Sequence, residues 1–327
     1  MQQRCFGSSS RRVSEIGLGT WQLGAEWGDV SDAEAEAILA TALEQGIDFI
    51  DTADIYGQGR SETRIGRALR AHAAKVFVAT KLGRAREPGW PGNFELEAMR
   101  RHAEGSRERL GVEALDLLQL HCVPEPILRE GRIFEHLRTL QGEGLIRAFG
   151  ASVESSAEAK LALAQDGLAS LQIIFNVFRQ TPIETIFDEA RRKGGAIIVR
   201  LPLASGLLSG KFDAQTRFAS DDHRTYNRDG DAFHAGETFA GLPFERALEL
   251  VEELRALAPP GLSLAAMAQR WILDHEAVST VITGATRREQ VRENARASAL
   301  ASLPLALHLR LREFWAARVR PLVRGKD

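Results

Sequence analysis

Short apolar runs and longer amphipathic stretches alternate along the whole chain. Eight runs have the length and composition of buried strands: EIGLGT (15–20), GIDFID (46–51), KVFVAT (75–80), LDLLQL (115–120), IRAFGA (146–151), LQIIFN (171–176), AIIVR (196–200) and VSTVIT (278–283). Between them the apolar positions switch to helical spacing, over roughly 31–45, 61–73, 94–110, 131–142, 155–165, 183–193, 262–275 and 287–297. Ser31 followed three residues on by Glu34 forms a capping-box signature, and Gly46, Gly111, Gly144 and Gly167 each follow a helical stretch where a left-handed stop belongs. Strands alternating with helices argue for a parallel sheet, and eight such units favour closure over an open sheet. The expected fold is α/β, a (β/α)8 TIM barrel occupying residues 1–327 as a single domain.

Two segments break the repeat. Residues 211–241 are polar, sprinkled with aromatics and without period, and they follow the seventh strand. That position places a long loop on the active face, where it is expected to cover substrate or cofactor. A helix over 243–257 precedes the eighth unit, and a Leu/Ala/Arg-rich helix over 303–321 is expected to pack on the barrel.

In a parallel barrel the carboxyl ends of the strands converge on one face, where active sites sit. Here three successive runs finish on or near ionisable residues: Asp51 with Tyr56 five positions later, Lys81, and His121. Their chemistry is mutually useful. Hydride transfer to a carbonyl leaves negative charge on oxygen, which calls for an adjacent acid. A free tyrosine, with a pKa of about 10, is too weak for this, and a neighbouring cation lowers that value. Lys81 supplies such a cation, Asp51 holds it, and His121 offers a further hydrogen bond to the reacting oxygen.

With these residues in that order, the chain resembles the aldo-keto reductases. The resemblance extends from IGLGTWQLG (16–24) through IRAFGAS (146–152) and LPLASGLLSGK (201–211) to VITGATRREQVRENARA (281–297). It implies an NADPH-dependent oxidoreductase acting on an aldehyde or ketone, or on an alcohol or sugar in reverse, with Asp51, Tyr56, Lys81 and His121 catalytic. Carried over by motif, Ser152 and Gln172 take the nicotinamide carboxamide of NADP, Arg200 stands at the nicotinamide end, and Thr20, Trp21 and Asp51 also bind the cofactor. Leu201, Leu203, Ser205 and Lys211 flank the pyrophosphate, and Gly284, Thr286, Arg287, Gln290, Glu293 and Asn294 hold the adenosine half. Gln290, Glu293 and Asn294 share one helix face, and Arg287 with Arg288 would meet a 2′-phosphate. Trp21, Trp27, Tyr56 and His121 are expected to face substrate. Two departures stand out: Val153 follows Ser152 where many members have Asn, and Arg200 replaces a stacking Tyr or Trp. A cation there would disfavour the oxidised, positively charged nicotinamide. The family also includes β subunits of potassium channels, so a cofactor-sensing regulatory subunit is the alternative.

Composition narrows the classes further. The 327 residues are 44% hydrophobic and 26% charged, with a formal net charge of −2, which gives no reason to expect nucleic acid or an anionic membrane. No apolar stretch approaches 18 residues, and the two cysteines, Cys5 and Cys122, are no disulfide framework, so a cytoplasmic setting is expected. No metal is expected, because HxH and HExxH spacings are missing. Cys122 adjoins His121, but neighbours on a strand point to opposite faces. His72, His102, His136, His275 and His308 read as solvated; His223 and His234 lie in the long loop, where they could touch substrate, though a solvated face is the better reading for them too.

Overall fold

The computed structural model describes residues 1–24, 30–72 and 75–325. Eight parallel strands close into a barrel: β1 Ile16–Gly19, β2 Phe49–Asp51, β3 Phe77–Leu82, β4 Leu117–His121, β5 Phe149–Ser152, β6 Leu168–Ile174, β7 Ala196–Arg200 and β8 Val278–Gly284. The last strand pairs the first, Val281 beside Ile16, so the sheet has no edge. All eight predicted runs form these strands: AIIVR matches β7 end to end, and the other bounds shift by up to three residues.

Ser31 caps the first helix, Asp32–Glu44, accepting a hydrogen bond from the Glu34 N–H at 3.2 Å. The four helix-stopping glycines adopt φ between 70° and 82°, which an L side chain resists. The stretch 131–142 is preceded by a separate short helix, Glu125–Glu130, with Gly131 in the left-handed region between them. The tail helix is regular only over Leu305–Phe314; a π turn, Trp315–Val319, and a 3-10 turn, Arg320–Leu322, follow.

Register explains the layering. Side chains two apart on a strand share a face, so one inward column carries different chemistry at different heights. Phe49 lies below Asp51, Phe77 and Ala79 below Lys81, Leu117 and Gln119 below His121, and Ala196 and Ile198 below Arg200. The lower layer is apolar: Phe49, Phe77, Ala79, Leu117, Ala196, Ile198 and Ile282 form one buried cluster with Phe6 and Val13.

Phe6 and Val13 belong to a feature absent from the sequence expectation. The first residues form an antiparallel hairpin, Gln3–Cys5 with Arg12–Ser14, that plugs the barrel floor. Phe6 stacks on Phe49 and packs at a tilt against Phe77, with ring centroids 5.9 and 5.0 Å away. Arg4 ties the hairpin to Glu15 at 2.7 Å and to the Val278 carbonyl at 3.0 Å, bridging the seam between β1 and β8.

The segment 211–241 is more structured than its composition suggests. It holds a short helix, His223–Tyr226, and 3-10 turns at Ala235–Glu237 and Phe239–Gly241. Phe239 and Ala240 are buried in the main core, with Phe239 against Phe218 and Phe244. The loop is therefore anchored at its end rather than lying wholly outside the barrel. His275 also departs from expectation. It is half-buried, edge-on to Phe175 and Trp271 at 5.0 and 4.7 Å, and burial pushes its pKa down to about 4.

Candidate active site

The upper interior layer gathers the ionisable residues. Asp51 ends β2, and the turn that follows brings Tyr56 back over the mouth. The turn is packed by two glycines: a Cβ on Gly57, at φ 58°, would stand 2.1 Å from the Gly24 carbonyl oxygen. No larger residue fits there. The contact seats the Trp21–Gly24 turn beside Tyr56, with the two aromatic rings 6.1 Å apart and 20° from parallel.

Lys81, from β3, is the hub. Its ammonium donates to the Asp51 carboxylate at 2.5 Å, to the Thr52 carbonyl at 2.9 Å and to the Tyr56 hydroxyl at 3.5 Å. The second Asp51 oxygen accepts from the amides of Gln119 and Gln172, at 3.2 and 2.7 Å. Both ions are almost completely buried, so the pair is held by a full set of partners rather than by charge alone. Burial works against the Lys81 ammonium, but Asp51 and Tyr56 outweigh it and its pKa is raised. For Tyr56, burial pushes the pKa up and Lys81 only partly offsets this, leaving the phenol above its ordinary value. The expected lowering of Tyr56 by Lys81 is thus present but outweighed, because the hydroxyl also loses water. Tyr56 is protonated at neutral pH.

His121 closes the group, its ring edge-on to Tyr56 with centroids 5.8 Å apart. Burial, then the charges of Arg84, Lys81 and Arg200, hold its pKa well below the usual 6.5. It is a neutral imidazole, able to donate or accept a hydrogen bond but unable to supply a proton as a cation.

Two arginines and two glutamates form the rim. Arg84 donates to the His121 carbonyl at 3.2 Å and pairs with Glu154 at 3.0 Å. Arg200 pairs with Glu237 of the long loop and donates to the Val153 carbonyl at 3.1 Å. The charge expected next to nicotinamide is therefore compensated. Cys122 joins them, contrary to the strand-alternation argument: β4 ends at His121, Cys122 turns to φ 51°, and its sulfur lies 3.8 Å from the Ser152 hydroxyl. Cys122, Glu154 and Glu237 bring one sulfur and two carboxylate oxygens within 4.8 Å of one another. Both carboxylates already answer guanidinium groups, which is a poor start for a metal site. Open space lined by Trp90, Cys122, Pro126, Arg129 and Glu154 lies alongside.

Several residues assigned to a cofactor have other partners here. The Thr20 hydroxyl donates to the Asp51 carbonyl and accepts from Ser61. Ser152 donates to Gln172 at 3.2 Å, so the two stand together. Ser205 donates to the Glu237 carbonyl at 2.9 Å. Gln290 caps the helix Arg288–Arg296, accepting from the Thr286 and Arg287 N–H groups at 2.7 and 3.2 Å. Asn294 is buried and accepts from Gln269 at 2.9 Å. On the face expected to read one ligand, Gln290 thus also serves as a helix cap and Asn294 as a helix–helix bond, and Glu293 is exposed.

What remains open to a phosphate is backbone and arginine. Leu201, Ala204, Ser205 and Gly206 all have positive φ, between 47° and 97°, in one turn after β7. Successive N–H groups in such turns make anion-binding concavities. Leu203 lies in the same turn, and Lys211 is exposed at its far side. Gly284 and Thr286 lead into the helix whose exposed N-cap, Arg287, pairs with no carboxylate among the described residues. Trp21 packs under the long loop, 5.1 Å from His223 and 6.4 Å from Phe233. Trp27 lies outside the described residues.

Sequence reasoning missed Gln119, Arg84, Glu154 and Glu237. Gln119 was legible: it is polar inside an apolar run and two residues before His121, hence on the same face. Nothing in the non-periodic loop marks Glu237.

The chain matches the model of the aldo/keto reductase family over residues 15–315. It is 30% identical to aldo-keto reductase YhdN of Bacillus subtilis over 301 residues, 89% of this chain and 87% of that protein. It is 28% identical to a probable voltage-gated potassium channel subunit beta of Arabidopsis thaliana, over 91% of both chains. Among solved structures, the holo form of an aldo-keto reductase from Bacillus halodurans superposes with a TM-score of 0.78 at 26% identity, covering 96% of each chain.

Proposed function

The chain belongs to the aldo/keto reductase family of oxidoreductases, and we propose that it reduces a small aldehyde or ketone with NADPH, Tyr56 being the proton donor. The observation that carries this reading is the buried chain from Asp51 through Lys81 to Tyr56, beside a neutral His121. A neutral imidazole flanked by three cations cannot act as the acid, which leaves the tyrosine hydroxyl. Lys81 stabilises the phenolate as the proton leaves, and Asp51 keeps the ammonium charged and in place. General acid catalysis of this kind contributes about 10²–10⁴-fold. His121 orients the carbonyl oxygen by a hydrogen bond.

The donor set fits a nicotinamide dinucleotide. The positive-φ turn 201–206 offers backbone N–H groups to a pyrophosphate, and Ser152 with Gln172 suits a carboxamide. Arg287 at a helix N-terminus suits a 2′-phosphate. When bound, that cofactor supplies the hydride; the chain supplies the proton, the orientation and the dry site. A panel of carbonyl compounds assayed by NADPH consumption tests the proposal. Turnover that disappears in Tyr56→Phe is expected, and a wild-type protein that binds NADPH yet turns over no carbonyl supports the alternative, a cofactor-sensing subunit like the Arabidopsis relative.

A further inference from the structure

Arg200 is a buried cation at the end of β7, and its charge is answered from the long loop. One guanidinium nitrogen pairs with the Glu237 carboxylate; another donates to the Val153 carbonyl at the end of β5 and stands 3.9 Å from the Cys122 sulfur. The guanidinium therefore reaches across the mouth, past Ser152, where the proposed carboxamide partners stand. Glu237 is delivered with its backbone clipped on both sides. Its carbonyl accepts from the Ser205 hydroxyl at 2.9 Å, and the Phe239 N–H donates to that same hydroxyl at 3.3 Å. Loop position and charge balance at the mouth are thus one contact. Oxidised nicotinamide carries a positive charge on its ring and the reduced form does not, so an unpaired guanidinium nearby would discriminate between them in a low-dielectric site.

We propose that Glu237 is a redox-specificity residue: its carboxylate cancels Arg200 beside the nicotinamide position, allowing the cationic, oxidised cofactor to be held, and latches the 211–241 loop in doing so. This rests on the nicotinamide reading above. The test is fluorescence titration of NADP+ and NADPH against the wild type, Glu237→Gln, Arg200→Gln and the double variant, with limited trypsin digestion of each cofactor-free protein. Glu237→Gln should weaken NADP+ relative to NADPH at least tenfold. Arg200→Gln should move the ratio the opposite way, because a lone carboxylate now faces the ring. The double variant, free of an unpaired buried charge and so the best protected against misfolding, should return to within about threefold of the wild-type ratio. Opposite signs for the two single changes distinguish charge compensation from general damage. An affinity ratio that is the same in both single variants overturns the proposal. Trypsin should cut the loop, at Lys211, Arg217, Arg224 or Arg228, faster in all three variants; an unchanged rate overturns the latch. Should the wild type bind neither cofactor, it is the functional reading that falls, and digestion still decides the latch.

Discussion

The two ends of the barrel interior are built from the same strands and do opposite things. At the floor, Phe49, Phe77, Leu117 and Ile198 meet Phe6 and Val13 of the hairpin in a dry, apolar cluster. Two to four residues further along the same strands, on the same face, stand Asp51 and Lys81, paired with each other, His121, edge-on to Tyr56, and Arg200, paired with Glu237. The floor gains stability by removing apolar surface from water. The mouth spends part of it, holding buried charges that burial alone disfavours. A period-two column can thus change its chemistry within a few residues without leaving its face.

Lesions placed at each end separately should have separate effects. Tyr56→Phe should lower kcat by about 10²–10⁴-fold while leaving the urea midpoint unchanged. Phe6→Ala should instead remove about 3 kcal/mol of stability while leaving kcat per folded molecule intact. Loss of stability in the first variant, or of kcat in the second, would show that the two ends are not separable.

A smaller test concerns the electrostatic cost of the mouth. Asp54, in the turn carrying Tyr56, is buried; desolvation first, then Glu62, raises its pKa to about 7. Its folded pKa lies above its unfolded one, so the stability it confers is complete below about pH 4 and lost as pH rises through 7. Asp54→Asn should therefore stabilise the protein at pH 8, by on the order of 1–3 kcal/mol, and lose that advantage toward pH 4. Urea midpoints at the two pH values measure it, and an equal gain at both would count against a charge effect. The smallest effect is expected at Gln290. Gln290→Ala should cost about 1 kcal/mol of stability through the lost cap, with NADPH affinity changed less than by Arg287→Ala. The reverse ranking in a titration would restore Gln290 as a ligand contact.

The barrel was legible because its strands and helices repeat with the periods that sequence patterning detects. The ends of β2, β3 and β4 were legible because each places a polar residue at the close of an apolar run. The protein partners of Ser205, Gln290 and Asn294 were not, since a hydroxyl or amide able to bind a ligand is equally able to bind a neighbouring backbone or side chain, and only the fold places those neighbours. Arg200 was seen as an unusual cation, but its neutralisation depends on Glu237, thirty-seven residues away in a segment without period. The hairpin escaped because its strands are three residues each, too short to show alternation.

Arg4 has a consequence for the timing of synthesis. Its carbonyl partner at Val278 is made 274 residues after it, Thr280, which donates to the Ser14 carbonyl at 2.9 Å, is made 266 residues after its partner, and Ser298, which accepts from the Gln2 N–H at 2.8 Å, 296 residues after its own. Contacts of such separation are slow to form, because a long loop must be closed before they give anything back. Through most of translation the hairpin has no seam to bridge and Phe6 has an unfinished floor to cover. The nascent chain must therefore carry its own plug exposed until the eighth strand arrives, which makes the hairpin of residues 3–14 the segment most in need of shelter while the protein is being made.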